Sequence, residues 1–290
     1  MERLNALSAR LKTRPEVVIA ESEEQICDLV GQCRVLLSAA GPYALCGEPV
    51  VRACVTSGTD YVDITGEVYW VRQMIDRYGD AAKDRGVALV SMCGQDSVPP
   101  DVAVNLLVQH LGPLKEARAY MCSAGAASGG THRTGLTSWQ AHPDLAFAAQ
   151  NDPFHIGGAR GDKARLIDQD CYAPEQCPLF PKLWLGPAGT GQPDSRCVRR
   201  SAGLFDEAGD GACAYGDSFA LVYRDATLSK KAAMDMLQAC GPVPTASFAP
   251  KVCSIMEDAV SEGRAPRPGA GAPPETRRHY GSTLVVVAEG

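Results

Sequence analysis

The chain has 290 residues, 45% hydrophobic and 21% charged, enough to bury a sizeable core as one large domain or two smaller ones. A formal net charge of -6 with no basic stripe excludes nucleic acid as a partner, and no apolar run approaches the roughly 20 residues that span a bilayer. Twelve scattered cysteines without a C-x-x-C and five histidines without an H-x-x-x-H pair give no zinc framework.

Nothing at Met1-Glu2-Arg3 reads as a signal peptide, so the expected compartment is the reducing cytoplasm, with free thiols. The basic pairs Arg199-Arg200 and Arg277-Arg278 are read as solvated surface.

In chain order, Leu4, Leu7 and Leu11 have helical spacing. Residues 16–20 read as a buried strand, and Ser22 with Glu23 and Glu24 reads as the capped start of a helix. A strand over 35–39 runs into Gly41-Pro42-Tyr43. A helix over 48–57 stops at Gly58, a strand occupies 61–64, and a longer helix over 69–85 ends at Gly86. A strand over 87–92 follows, then a helix over 101–111 after Pro99-Pro100.

Beyond residue 116 the texture changes. A strand is predicted over 117–123, a small-residue loop over 125–131, and broken helix over 137–150, interrupted near Pro143. Residues 151–216 read as loops with short strands. A strand over 219–223, a helix over 229–239 stopped at Gly241, a Pro/Gly/Ala linker over 263–274 and a strand over 283–288 complete the chain. The fold class is α/β: an incomplete doubly wound sheet over residues 1–112, then an α+β domain over 113–290.

Ligands of such sheets bind outside the carboxyl ends of the strands, where Gly41-Pro42-Tyr43 and Cys93-Gly94-Gln95-Asp96-Ser97 fall. Gly41, Pro42 and Tyr43 can wall a flat ligand, with Gly94 on the neighbouring turn; a tight strand–helix turn is the plain structural alternative. Asp63 and Glu67 can position a substrate or simply cap a helix. Asp96-Ser97 resembles an N-cap box; a hydrolase built on Ser97 would need a histidine brought in from elsewhere. The glycines at 125, 129 and 130 fit neither phosphate-loop pattern, although a helix starting at Thr131 would offer amides to an anion. No metal site is expected.

The GPY turn, the GEPVVRAC helix, GTDYVDITGE and CGQDSVPPD together resemble the saccharopine dehydrogenase-like oxidoreductases, in the branch of the trans-acting enoyl reductases. Ser128-Gly129-Gly130-Thr131 and Val198-Arg199-Arg200-Ser201 agree with that branch; Gln95, where an aromatic is usual, and Pro100, where serine is usual, depart from it.

The resemblance implies a Rossmann-type domain for NADP or NAD and a second domain on the substrate side. It also implies hydride transfer, with a lipid-type enoyl substrate as the small-molecule partner. Cofactor contacts then fall on Gly41, Pro42, Tyr43 and Gly94, reacting groups on Tyr43, Asp96 and Ser97, and substrate contacts on Asp63 and Glu67. Relatives of this kind begin with a strand and a G-x-x-G-x-x-G turn and continue beyond residue 290, so the chain reads as truncated at both ends. The alternative is a catalytically inactive, cofactor-free binding or lipid-surface module. Peripheral contact with a membrane or lipid droplet and a homodimer are both compatible with the sequence.

Overall fold

The structure, a computed structural model, describes residues 2–125, 127–189, 191–209, 214–271 and 274–290. Its first half is built from α1 (Glu2–Arg10), α2 (Glu23–Val30), β1 (Val35–Ser38), α3 (Tyr43–Cys46), α4 (Glu48–Ser57), β2 (Asp60–Asp63), α5 (Val68–Arg85), β3 (Leu89–Val90) and α6 (Val98–Leu111). The signals behind the central helices are local. Ser22 accepts from the Gln25 amide in a capping box that starts α2. Gly58 and Gly86 stop α4 and α5 at φ of 75° and 65°, conformations that a side chain disfavours.

Strands β1, β2 and β3 form a parallel sheet in that order, with Val35 opposite Asp60 and Tyr61 opposite Leu89. Its core joins Val51 and Cys54 of α4, Tyr61 of β2, and Trp70, Val71 and Met74 of α5. The parallel sheet agrees with the expected α/β class.

One element departs from expectation. Residues 16–20 form no strand, and Val18 and Ile19 lie exposed. An apolar run becomes a strand only beside a partner edge, and β1 pairs with β2 alone among the described residues.

The rest comprises β4 (Glu116–Ala124), α7 (Gly129–Ala141), α8 (Pro143–Asn151), α9 (Gly161–Ile167), β5 (Glu175–Gln176), β6 (Trp184–Pro187), α10 (Gly191–Ala208), β7 (Ala220–Thr227), α11 (Lys230–Cys240), α12 (Ala249–Ser261), α13 (Pro274–Arg277) and β8 (Gly281–Glu289). The second sheet runs β5-β6-β7-β4-β8. Its centre is the parallel pair β4–β7, and β8 lies antiparallel along the whole of β4. Helices α6 and α10 cover one face through Val104, Val108, Val198 and Ala202, which meet Ala117, Phe219 and Leu221.

Helix α10 overturns the loop reading of residues 151–216. Its inward face carries Asp194, Ser195, Arg196 and Arg199 beside Val198, Ala202 and Gly203, so buried charge is interleaved with the apolar positions. The surface reading of Arg199-Arg200 falls with it. Arg199 is 1% exposed and ion-paired with Asp168 and Asp170, and Arg200 donates to the Ile156 carbonyl. Of the 263–274 linker, Ala272 and Pro273 lie outside the described residues; the described part is irregular up to Pro274, where α13 begins. No helix among the described residues is long and apolar enough to cross a membrane.

Candidate functional site

The three parallel strands end on one side of their sheet, and two buried carboxylates tie the loops that follow. After β1 the chain turns through a cis Gly41–Pro42 peptide into α3. The Glu67 carboxylate, 3% exposed, reaches back from the turn after β2 and accepts from the amides of Tyr43 (2.5 Å) and Ala44 (3.0 Å). These are first-turn amides of α3, which have no carbonyl partner within the helix. Asp63 accepts from the Thr65 amide (3.0 Å), the Met92 amide (2.9 Å) and the Ser91 hydroxyl (3.1 Å). Glu67 thus joins the first strand end to the second, and Asp63 joins the second to the third. Met92 is held at φ 65°, uncommon for a residue with a side chain.

Tyr43 packs its ring 5.5 Å from that of Trp70, and its hydroxyl donates to the Ser38 carbonyl at 3.0 Å. Gly47 makes this packing possible, because a Cβ there would lie 2.7 Å from the Trp70 ring. Burial raises the pKa of the Tyr43 hydroxyl. Burial also raises that of Glu67, assisted by the nearby Asp63 charge and opposed by the two amides.

Outside these turns lies a cavity of about 540 Å³, within the range of small-molecule sites. Gly41, Pro42, Tyr43, Glu67 and Asp96 all line it. Asp96 stands exposed at its rim, yet the surrounding protein desolvates the carboxyl enough to raise its pKa. The facing wall comes from α7, through Thr134, Ser138 and Trp139.

Three expected site residues stand elsewhere. Asp63 is 0% exposed and occupied by its three donors. Gly94 packs under Ile64, and Ser97 is buried at the N-cap of α6, where its side chain makes no capping bond. The anion site considered at Thr131 is displaced as well. Helix α7 begins at Gly129, whose amide donates to the Ala270 carbonyl, while Ser128 accepts from the Thr131 amide. Ala126 of that loop lies outside the described residues.

Sequence reasoning missed Tyr69, which is 3% exposed, lines the same cavity and packs its ring 5.7 Å from His142. Its hydroxyl lies beside Ser138 and Glu67 without a well-formed hydrogen bond. Its place in an apolar helical stretch, V-Y-W-V, signalled only core.

Residues 1–90 match the family model of the saccharopine dehydrogenase NADP binding domain. Over those residues the chain is similar to that NADP-binding domain. It is 29% identical over 282 residues to a trans-acting enoyl reductase of Mycobacterium ulcerans, covering 91% of this chain and 66% of the relative. A trans-acting enoyl reductase of Mycobacterium bovis is 28% identical over 273 residues, covering 87% of this chain and 63% of its own length. A lipid droplet localized protein of Caenorhabditis elegans is 38% identical over 126 residues, 41% of this chain and 30% of that protein. The chain therefore spans less than two thirds of the length of each. The matched model describes an NADP-binding domain, and the cavity outside β1 and β2 falls at the sheet end where such folds take ligands.

Proposed function

We propose that this chain is an NADP-dependent reductase with a lipid-type enoyl substrate, residues 1–112 serving the cofactor and residues 113–290 the substrate side. The observation that carries this reading is the convergence of Gly41, Pro42, Tyr43, Glu67 and Asp96 on one cavity at the carboxyl ends of β1 and β2. The choice of NADP follows the description of the matched family, and the enoyl substrate follows the names of the mycobacterial relatives.

The residues present fit the nicotinamide half of the cofactor. Tyr69 brings to the cavity a buried hydroxyl without a well-formed bond, suited to a carboxamide. A Cβ built on Gly66 would meet nothing closer than 3.9 Å, which leaves the wall open to a flat ring. Gly41, Pro42 and Tyr43 would form that wall, with Gly94 behind the neighbouring turn. The bound cofactor supplies a hydride.

The chain's own residues do the rest. Glu67 fixes the wall by holding α3 through its amides. The Tyr43 proton is committed to the Ser38 carbonyl, which makes Tyr43 a positioning group. Asp96 presents a carboxyl at the cavity rim, its pKa raised by desolvation, and is the group we assign to hand a proton to the substrate.

Titration of the purified chain with NADPH and NADH, read by nicotinamide fluorescence, tests the reading. The expected result is saturable binding, tighter for NADPH. Asp96→Asn should keep that binding and lower turnover of a long-chain 2-enoyl thioester at least tenfold. A folded chain that binds neither nucleotide defeats the proposal. It would favour a cofactor-free lipid-surface module, a reading with its own support in the open edge of β1 and the lipid droplet relative.

A further inference from the structure

A second and larger cavity, about 720 Å³, lies on the other side of α7, between that helix, α12 and the turn after α11. Its far part is lined by Val243, Phe248, Val252, Ile255 and Met256. Apolar groups facing an open cavity gain free energy when a ligand of the same character displaces water from them. The partition from the smaller cavity is thin. Thr131, Gly135, Trp139, Gln150, Gly189 and Gln192 line both.

Gly135 explains the closeness of α7 and α12, since a Cβ there would stand 2.8 Å from the Met256 methyl. Polar groups gather at the partition, where the Gln192 side-chain amide donates to the Gln150 carbonyl oxygen. Each primary amide has two N–H donors, so this pair can also donate outward. Two of the cations around the cavity are ion-paired and the third, Lys251, is not paired among the described residues. Arg196 is paired with Asp170 at 2.5 Å, Arg264 with Glu262 at 2.6 Å, and Lys251 is exposed over the Phe248 ring.

We propose that the larger cavity binds a long unbranched acyl chain, its methyl end among Val252, Ile255 and Phe248 and its carbonyl at the Gln150–Gln192 pair. Such a chain complements an apolar pocket with amide donors at one end. Chain binding stands apart from the cofactor reading; only the advantage of a carbonyl facing the smaller cavity rests on it. In that orientation the carbons beside the carbonyl are the part of the ligand nearest Gly41–Tyr43 and Asp96.

The test is a titration of the full chain with a pyrene-labelled long-chain fatty acyl thioester, followed by displacement with unlabelled thioesters of decreasing length. Saturable binding that weakens as the chain shortens is expected. Val252→Trp, which fills the cavity, and Ile255→Asp, which places a charge in it, should each weaken the probe at least tenfold and leave NADPH binding unchanged. Ile255 is half exposed, so its variant should fold even where the tryptophan does not fit. Gln150→Leu should weaken the thioester while sparing an alkane of the same length.

Probe binding indifferent to both substitutions, or governed by partition to the surface alone, overturns the proposal. So does the absence of saturable binding by a chain with intact circular dichroism. Probe binding without NADPH binding would defeat the cofactor reading and leave this one standing; the reverse would defeat this one alone.

Discussion

Asp63 and Glu67 illustrate how a residue type fails to fix a role. Both are acids near a strand end, where catalysis and capping are equally natural readings. Their surroundings separate these, because the oxygens of each meet amides of the turns they join. Asp63 is closed to solvent and gathers three donors, so its removal leaves the Thr65 and Met92 amides buried and unsatisfied. Asp63→Ala should destabilise the fold by about 3 kcal/mol. Urea unfolding checks this, and a loss below about 1 kcal/mol would mean that the loops hold their shape without it. Glu67 differs in kind. Its raised pKa shows burial working against its charge, with the Tyr43 and Ala44 amides offsetting only part of the penalty.

At the scale of elements, the same contrast decides what could be read in advance. Helices α2, α4, α5 and α11 were legible because each carries its own punctuation: Ser22 and Ser229 at their starts, Gly58, Gly86 and Gly241 at their ends. Helix α10 was not, because charge is buried where periodicity looks for apolar residues. Arg199 donates to Asp168 at 2.9 and 2.6 Å and to Asp170 at 2.8 Å, and Asp168 also accepts from the Leu221 amide of β7.

Arg199→Met should therefore cost about 3–5 kcal/mol, because two carboxylates would stay buried with less compensation. Acid should act on the same network. Burial pushes the Asp170 carboxyl up, but the Arg199 and Arg196 charges prevail and hold it below the usual range. A depressed folded value means that this stabilisation is complete above the unfolded pKa of about 3.9 and drains away as pH falls through the lower folded value. Thermal unfolding from pH 5 down to pH 2 should show the loss, and Arg199→Met should flatten it. The candidate site was half legible for a related reason. Strand-end rules find Gly41–Tyr43, Glu67 and Asp96, whereas the α7 wall arrives through packing of a distant segment, and Tyr69 lies in an apolar helical stretch that signals only core.

For the molecule as a whole, the decisive feature is the first sheet's unpaired side. Strand β1 has β2 on one flank and no strand on the other among the described residues. Leu37 of β1 is 69% exposed, and Val35, Val18 and Ile19 are also exposed. An edge that offers unpaired backbone groups beside apolar side chains is a template for pairing with another chain. The segment 16–20, which has strand-like residues and no ladder, supplies a matching free run in every copy. Concentration-dependent self-association of the isolated chain follows, visible as a rise in apparent mass by light scattering.

Leu37→Lys should suppress that rise by placing a charge at the edge, as natural edge strands do, and should leave stability within about 0.5 kcal/mol because the side chain is already in water. NADPH binding should be unaffected, since Leu37 does not line the cavity. Association undiminished by this substitution would shift the cause to the leucines of α1. Leu4, Leu7 and Leu11 are exposed too, and Leu4→Glu with Leu7→Glu would then be the variants that restore a monomer.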